Sequence, residues 1–229
     1  MRMRKKKWAQ PELNACPYFI KEPKKSKGNW RSLFGDPSLD LQLELGCGKG
    51  ESTAQMANEN RNVNYVAIDL ISNVLGSARR NIAALYGEEE PKNIVLASQN
   101  ILNINEIFGK EDAFSRIHIY FCNPWTERGK HEKRRLTHVR QLMQYREFLQ
   151  EDGEIWFKTD DDILFEASLG YFAACGFEQI YYTEDLHASG FQPNYITEHE
   201  KRFVAEGIKI KFVIMKKVPL LEASEAAID

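Results

Sequence analysis

Gly46-Cys-Gly-Lys-Gly50 places three glycines within five residues, two positions after Glu44. Residues without a Cβ allow a tight turn and let backbone N–H groups approach a ligand closely. The lead-in, Leu39-Asp-Leu-Gln-Leu-Glu-Leu45, alternates apolar and polar residues and predicts a strand. Glu51 to Asn60 reads as a helix, so a ligand would sit where strand, turn and helix N-terminus meet. The charge of that ligand can also be inferred. A Walker loop ends in Lys-Ser/Thr, whereas Lys49 is followed by Gly50-Glu51. A dinucleotide loop spaces its glycines as G-x-G-x-x-G, and here they fall as G-x-G-x-G. An acid beside the loop repels pyrophosphate but attracts a cation.

S-adenosylmethionine has an ammonium, a sulfonium and no phosphate. The pattern E-x-G-C-G-x-G also resembles the first motif of the class I methyltransferases, which bind that cofactor. Glu44, Gly46, Cys47, Gly48 and Gly50 are thus candidate cofactor residues. Asp69 closes the strand Asn64 to Leu70, about twenty residues past the loop, where Rossmann-like folds place the acid that holds the ribose hydroxyls. Its bland alternative is a cap for the helix Leu70 to Tyr86. Asn100 follows a third strand, Asn93 to Ser98, and would either read adenine or cap a short helix near Ile104 to Phe108.

The other candidates lie downstream. Ser115 to Phe121 is a β-branched and aromatic strand that runs into Cys122-Asn-Pro-Trp125, where proline ends it at the ligand edge of the sheet. Asn123 is exposed by that break. Trp125 is a stacking surface for a base or a lid contact. Between Glu127 and Arg140 the chain carries a net +4, not counting His131. A basic run is commonly a solvated face, but beside a cofactor loop it points to an acceptor that carries phosphates. Arg134-Arg135 are expected to open a helix through Phe148. Glu154 to Asp160 is a further strand with Asp160 at its tip, and Asp161 or Asp162 caps the helix Ile163 to Cys175. Gly176 to Tyr182 is a sixth strand, Thr183 to Ile196 an irregular loop, and Thr197-Glu-His-Glu200 a capping box. Ile208 to Lys216 closes the sheet.

These elements predict an α/β, Rossmann-like domain: a mostly parallel seven-stranded sheet with an antiparallel finish and helices on both faces. At 229 residues, 43% hydrophobic and 28% charged, the chain suits one such domain. The expected division is a basic arm and partly ordered lid (1–37), the catalytic domain (38–218) and a flexible tail (219–229). Residues 1–31 alone carry +8, although the whole chain carries −2. Such an arm suits a polyanion, through counterion release. No apolar run approaches the about eighteen residues of a membrane span, and no apolar signal segment follows the basic start. Cys16, Cys47, Cys122 and Cys175 are isolated, which suggests a reducing cytoplasm and offers no metal cluster.

With these residues in view, the chain resembles the bacterial TrmB-type tRNA (guanine-N7)-methyltransferases over almost its whole length. The likeness is carried by Met1 to Lys5, Gly28-Asn-Trp30, Phe34-Gly35, Glu44 with the glycine loop, and Phe121 to Trp125. It continues through His131 to Leu136, Phe157-Lys-Thr-Asp160 with Phe165-Glu166, Asp185-Leu-His187, and Thr197 to Glu200 with Phe203 and Gly207. The resemblance implies an S-adenosylmethionine site lined by Glu44, the loop glycines, Asp69 and Asn100; Asn123 is expected to join the cofactor site and to supply a carbonyl or amide near the reacting base, with Asp160 stabilising the charge that develops there. It implies that Asp160, Thr197 and Glu200 hold the target guanine, that Lys130, His131, Arg134 and Arg135 approach tRNA, and that the product is methylated at N7 of variable-loop position 46. Members include monomers and homodimers.

The chain departs from the family's Asp-Pro-Trp-Pro-Lys at Asn123, Thr126 and Glu127, with one residue more before His131. It also has Asn100 in place of an acid, and Asp161-Asp162 in place of Asn-Arg. Two other readings follow: methylation of an exocyclic base amine, from the loose likeness of Asn123-Pro-Trp to an Asn-Pro-Pro-Tyr motif, or a non-catalytic tRNA-binding relative.

Overall fold

The computed structural model describes residues 6–125 and 129–220; the side chain of Lys130 lies outside that description. β2 (Asp40–Leu45) sends Leu41, Leu43 and Leu45 to one face of the sheet and Gln42 and Glu44 to the other. Both faces are covered, so all five side chains are buried. β3 (Val63–Asp69), β4 (Ile94–Ser98), β5 (Phe114–Tyr120) and β6 (Leu149–Thr159) join β2 in parallel. β8 (Lys211–Lys217) then enters antiparallel between β6 and β7 (Phe177–Thr183).

Among the described residues the sheet has eight strands rather than the expected seven, in the order β1-β4-β3-β2-β5-β6-β8-β7. The extra strand, β1, is Phe19–Ile20, which pairs parallel with the open edge of β4. Two residues carry no periodicity, so nothing in the sequence marks them as a strand. The architecture is otherwise the anticipated Rossmann-like α/β sheet with helices on both faces. α1 (Ala9–Ala15), α2 (Glu51–Glu59) and α3 (Ser72–Tyr86) cover Tyr65, Ala67, Ile94 and Leu96. α4 (Val139–Phe148) and α5 (Asp162–Ala174) cover the leucines of β2 together with Ile117, Ile119, Ile155 and Phe157. α6 (Glu198–Ala205) lies beyond β7 in the chain and returns to the ligand edge.

The segment that precedes β2 is docked onto this frame. Leu13 of α1 is fully buried, and Ala9 packs so closely on α3 that a Cβ at Gly76 would lie 2.7 Å from its own. Glu12 pairs with Arg79 and Arg80, at 3.3 and 2.5 Å. Trp30 is fully buried, and its indole N–H donates to the Ile107 carbonyl at 2.7 Å. Buried Asp112 accepts the N–H groups of Gly28, Trp30 and Gly109, which fixes the path between α1 and β2.

α4 begins later than its sequence suggests. Arg134 ends a short 3-10 helix (Gly129–Arg134), and α4 starts only after His138, whose imidazole Nδ1 accepts the Arg140 N–H at 3.2 Å. Cys16, Cys47 and Cys175 are free and buried, and Cys122 is free and half-buried. Among the described residues no helix is long and apolar enough to cross a membrane, and no group of three or more His, Cys, Asp or Glu is placed to hold a metal ion.

Candidate functional site

The glycine loop needs all three of its glycines. Gly46, Gly48 and Gly50 have φ of +77°, +54° and +66°, which a residue with a Cβ adopts only under strain. The Gly46 and Cys47 N–H groups both donate to the Ile68 carbonyl, at 2.8 and 3.0 Å, and Gly50 N–H closes onto the Cys47 carbonyl at 2.8 Å. At Gly50 a Cβ would also lie 2.7 Å from that of Ala78 on α3. Gly50→Ala is expected to cost about 2–4 kcal/mol, from a left-handed backbone and an overpacked contact together. Urea unfolding measures this; an unchanged midpoint would contradict it.

Glu44 stands behind the loop at the N-terminus of α2. It is buried; Ser52 Oγ donates to one carboxylate oxygen at 2.5 Å and the Thr53 hydroxyl donates to the other. Burial pushes its carboxyl up to about 7, against the opposing pull of the Ser52 hydroxyl and of Lys158. The folded chain therefore holds a proton that the unfolded chain releases. Glu44's contribution to stability is fully present below its ordinary value of 4.5 and is lost as pH rises through about 7. Glu44→Gln should flatten the fall in melting temperature between about pH 5 and pH 8; an unchanged slope would contradict the assignment.

Asp69 ends β3. Its Oδ2 accepts the Gly48 N–H at 3.1 Å and its Oδ1 accepts the Ile71 N–H at 2.9 Å, so it braces the loop from behind. Burial raises its carboxyl, with the Ile71 and Gly48 N–H groups opposing.

A cleft of about 410 Å³ opens in front of the loop. It brings together Glu44, Gly46, Cys47, Gly48 and Gly50 with Thr197, the N-cap of α6. Lys49, Tyr120, Phe121, Glu198, His199 and Arg202 also stand on its walls, together with Glu51, Ser52 and Val74, and the sequence assigned a ligand role to none of them. Two ion pairs tie α6 to the far side of the cleft: Lys49 to Glu198 at 2.5 Å and Lys201 to Glu51 at 3.3 Å. Phe121 had one visible signal, its place at a strand end directly before Cys-Asn-Pro.

Several sequence candidates stand outside the lining of this cleft. Asn100 is exposed and caps the 3-10 helix Ile101–Glu106 by accepting the Leu102 N–H at 3.1 Å, which is the bland alternative. Asn123 is exposed, and its side-chain carbonyl accepts the Trp125 N–H at 2.9 Å. Trp125 has φ of +51° and packs with His131 and beneath Arg134, at 5.8 and 5.2 Å from their centres. Arg134 is exposed, as are Lys133 and Arg140. Thr126, Glu127 and Arg128 lie outside the described residues.

Two expectations need correction. Arg135, expected to approach tRNA, is 2% exposed. Its Nε donates to the Pro124 carbonyl at 2.8 Å, so it acts as a strut beneath the Asn123 turn. Glu200, expected to hold guanine, is fully buried. Its backbone N–H donates to Thr197 Oγ1, but its carboxylate turns inward to Lys158 at 3.1 Å, leaving the capping box one-sided. His187 and Asn194 occupy its other oxygen, at 2.9 and 2.8 Å. Lys158 was the readable signal here, a lysine directly after the apolar run Ile155-Trp-Phe157. Asp160 sits half-buried just past β6, with its backbone carbonyl accepting from Lys211 Nζ at 3.1 Å.

Comparison with known proteins gives the same frame. Residues 39–213 match the family described as "Putative methyltransferase". A tRNA (guanine-N(7)-)-methyltransferase from Clostridium botulinum is 55% identical over 95% of this chain and 99% of that protein. One from Acetivibrio thermocellus is 49% identical over 95% of this chain and 100% of that protein. Among solved structures, the 16S rRNA methyltransferase KamB has a TM-score of 0.58 at 13% identity, over 82% of this chain and 91% of that one, a likeness of fold alone. Matched at this identity over nearly its full length, the chain belongs to the tRNA (guanine-N(7)-)-methyltransferase family.

Proposed function

We propose that the chain uses S-adenosylmethionine to methylate N7 of the variable-loop guanine, position 46 of tRNA. The supporting observation is the single cleft in which the glycine loop faces the N-terminus of α6: one wall suits the cofactor and the other the base. The residues fit the cofactor's chemistry. Glu44 lines the cleft and suits a ligand with two cationic centres, Asp69, outside that lining and bracing the loop, is assigned to the ribose diol, and the glycines leave a backbone cradle that Cβ atoms would obstruct. When bound, S-adenosylmethionine supplies an electrophilic methyl group.

Guanine N7 already exposes a lone pair, so the site needs no general base. It must align the base and accept the positive charge that methylation leaves on the purine. We assign that role to Asp160, half-buried just past the tip of β6 and outside the lining of the cleft. Thr197 accepts the Glu200 N–H and keeps its own hydroxyl proton to donate to the base. Lys133, Arg134 and Arg140 are exposed, Arg134 over Trp125, and suit tRNA phosphates. The cleft is lined from within one chain, which serves a monomer and a homodimer alike.

The test is incubation with unmodified tRNA and methyl-labelled S-adenosylmethionine, followed by nucleoside analysis. Label in 7-methylguanosine is expected. RNA binding without label would point to the non-catalytic relative.

A further inference from the structure

Phe121 and His199 come from different elements and meet at the cleft. Phe121 follows β5 with φ of +52°, a region that bulky residues rarely occupy, and its N–H donates to the Lys158 carbonyl at 3.0 Å. Such strain persists only where the surroundings enforce it, and it concentrates at functional sites. His199 rides on the first turn of α6. The two rings are nearly parallel, 18° apart in plane, with centroids separated by 6.3 Å. Stacked bases rise by about 3.4 Å, so a flat base between two rings needs about 6.8 Å; at 6.3 Å the pair is short of that and must part by at least about 0.5 Å to admit one. Phe203 leans on both rings, at 5.9 and 6.3 Å, and steadies the pair.

We propose that Phe121 and His199 form an aromatic clamp that takes the target purine between their faces, an inference that rests on the reading of the cleft given above. Enzymes that act on a base draw it out of its stack and hold it between aromatic or apolar side chains. The clamp also suits the product, because methylation at N7 makes the purine cationic and an aromatic face attracts a cation. Trp125, a stacking candidate in the sequence, is engaged instead with His131 and Arg134. Arg202, on the next turn of α6 and also on the cleft wall, is placed to meet the phosphate of the extruded nucleotide.

The test compares His199→Ala and His199→Phe in the full chain. The loss of one base–aromatic stack is expected to lower kcat/KM for tRNA about 10- to 100-fold in H199A. The Kd for S-adenosylmethionine should stay within about twofold in both variants, because His199 is assigned to the base and not to the cofactor. H199F, which keeps a ring but no ring nitrogen, should restore kcat/KM to within about threefold. A tRNA carrying 2-aminopurine at the target position gives a second readout: its fluorescence should be quenched on binding by the unaltered chain and by H199F, and not by H199A. Unaltered turnover and quenching in H199A, or an H199F as impaired as H199A, would overturn the clamp. Absence of 7-methylguanosine with the unaltered chain would overturn the functional reading itself, before any variant is compared.

Discussion

Asp160→Asn is expected to lower kcat on tRNA about 10²- to 10³-fold, the scale seen when one preorganised electrostatic partner of a transition state is removed. Three consecutive aspartates follow β6, and the structure uses two of them elsewhere. Asp161 accepts the Leu164 N–H at 2.6 Å as the N-cap of α5, and Asp162 pairs with Lys211 at 2.5 Å. Among the described residues no hydrogen bond or ion pair takes up the Asp160 carboxylate, while its backbone is held by Lys211. Asparagine preserves the size and loses the charge that would offset the developing cation. The Kd for S-adenosylmethionine should remain within about twofold, because the cofactor contacts are assigned to the loop and not to β6. Pre-steady-state transfer measured beside cofactor calorimetry separates the two effects; unchanged kcat would remove Asp160 from the mechanism.

Breaking the buried ion pair beneath α6 is the second large effect. Lys158 is 2% exposed and Glu200 fully buried, 3.1 Å apart, and Lys158 Nζ also donates to Asn194 Oδ1 and the Tyr195 carbonyl, at 2.5 and 2.9 Å. This cluster ties α6 and the loop before it to the middle of the sheet. Lys158→Met leaves a buried carboxylate without its cation and should cost about 3–5 kcal/mol. Glu200→Leu strands the ammonium in the same way. The double variant, which removes both charges, should be more stable than either single variant. Urea midpoints at constant slope measure this; a double variant whose loss equals the sum of the single losses would show that the pair is not coupled. Because α6 carries Thr197 and His199, both single variants should also lose tRNA turnover.

What the sequence revealed and what it hid differ for a physical reason. The glycine loop was legible because its demand is local: three left-handed backbone conformations in five residues admit little besides glycine. The places of Asp69 and Asp160 at strand ends were legible because such ends can be read from periodicity, and ligands gather there in this architecture. Asn100 was ambiguous from the start, since one amide can cap a helix or read a base with the same atoms. Arg135 and Glu200 were misread because their type suggests a wet surface, while their partners lie elsewhere in the chain: Pro124 eleven residues away and Lys158 forty-two. Whether a charged side chain faces solvent or another element is decided by tertiary packing, which has no local signature. The same holds for Phe121 and His199, seventy-eight residues apart, whose parallel rings become visible only once β5 and α6 are brought together.

The central claim is methyl transfer to N7, and it is tested most directly on the acceptor atom itself. A tRNA carrying 7-deazaguanine at the variable-loop position keeps N1, O6 and the exocyclic amine but has carbon in place of N7. Incubated with the unaltered protein and methyl-labelled S-adenosylmethionine, it should take up no label while still competing with normal tRNA for binding. Label incorporated at that nucleotide at the normal rate would contradict the account and move the reaction to an exocyclic amine.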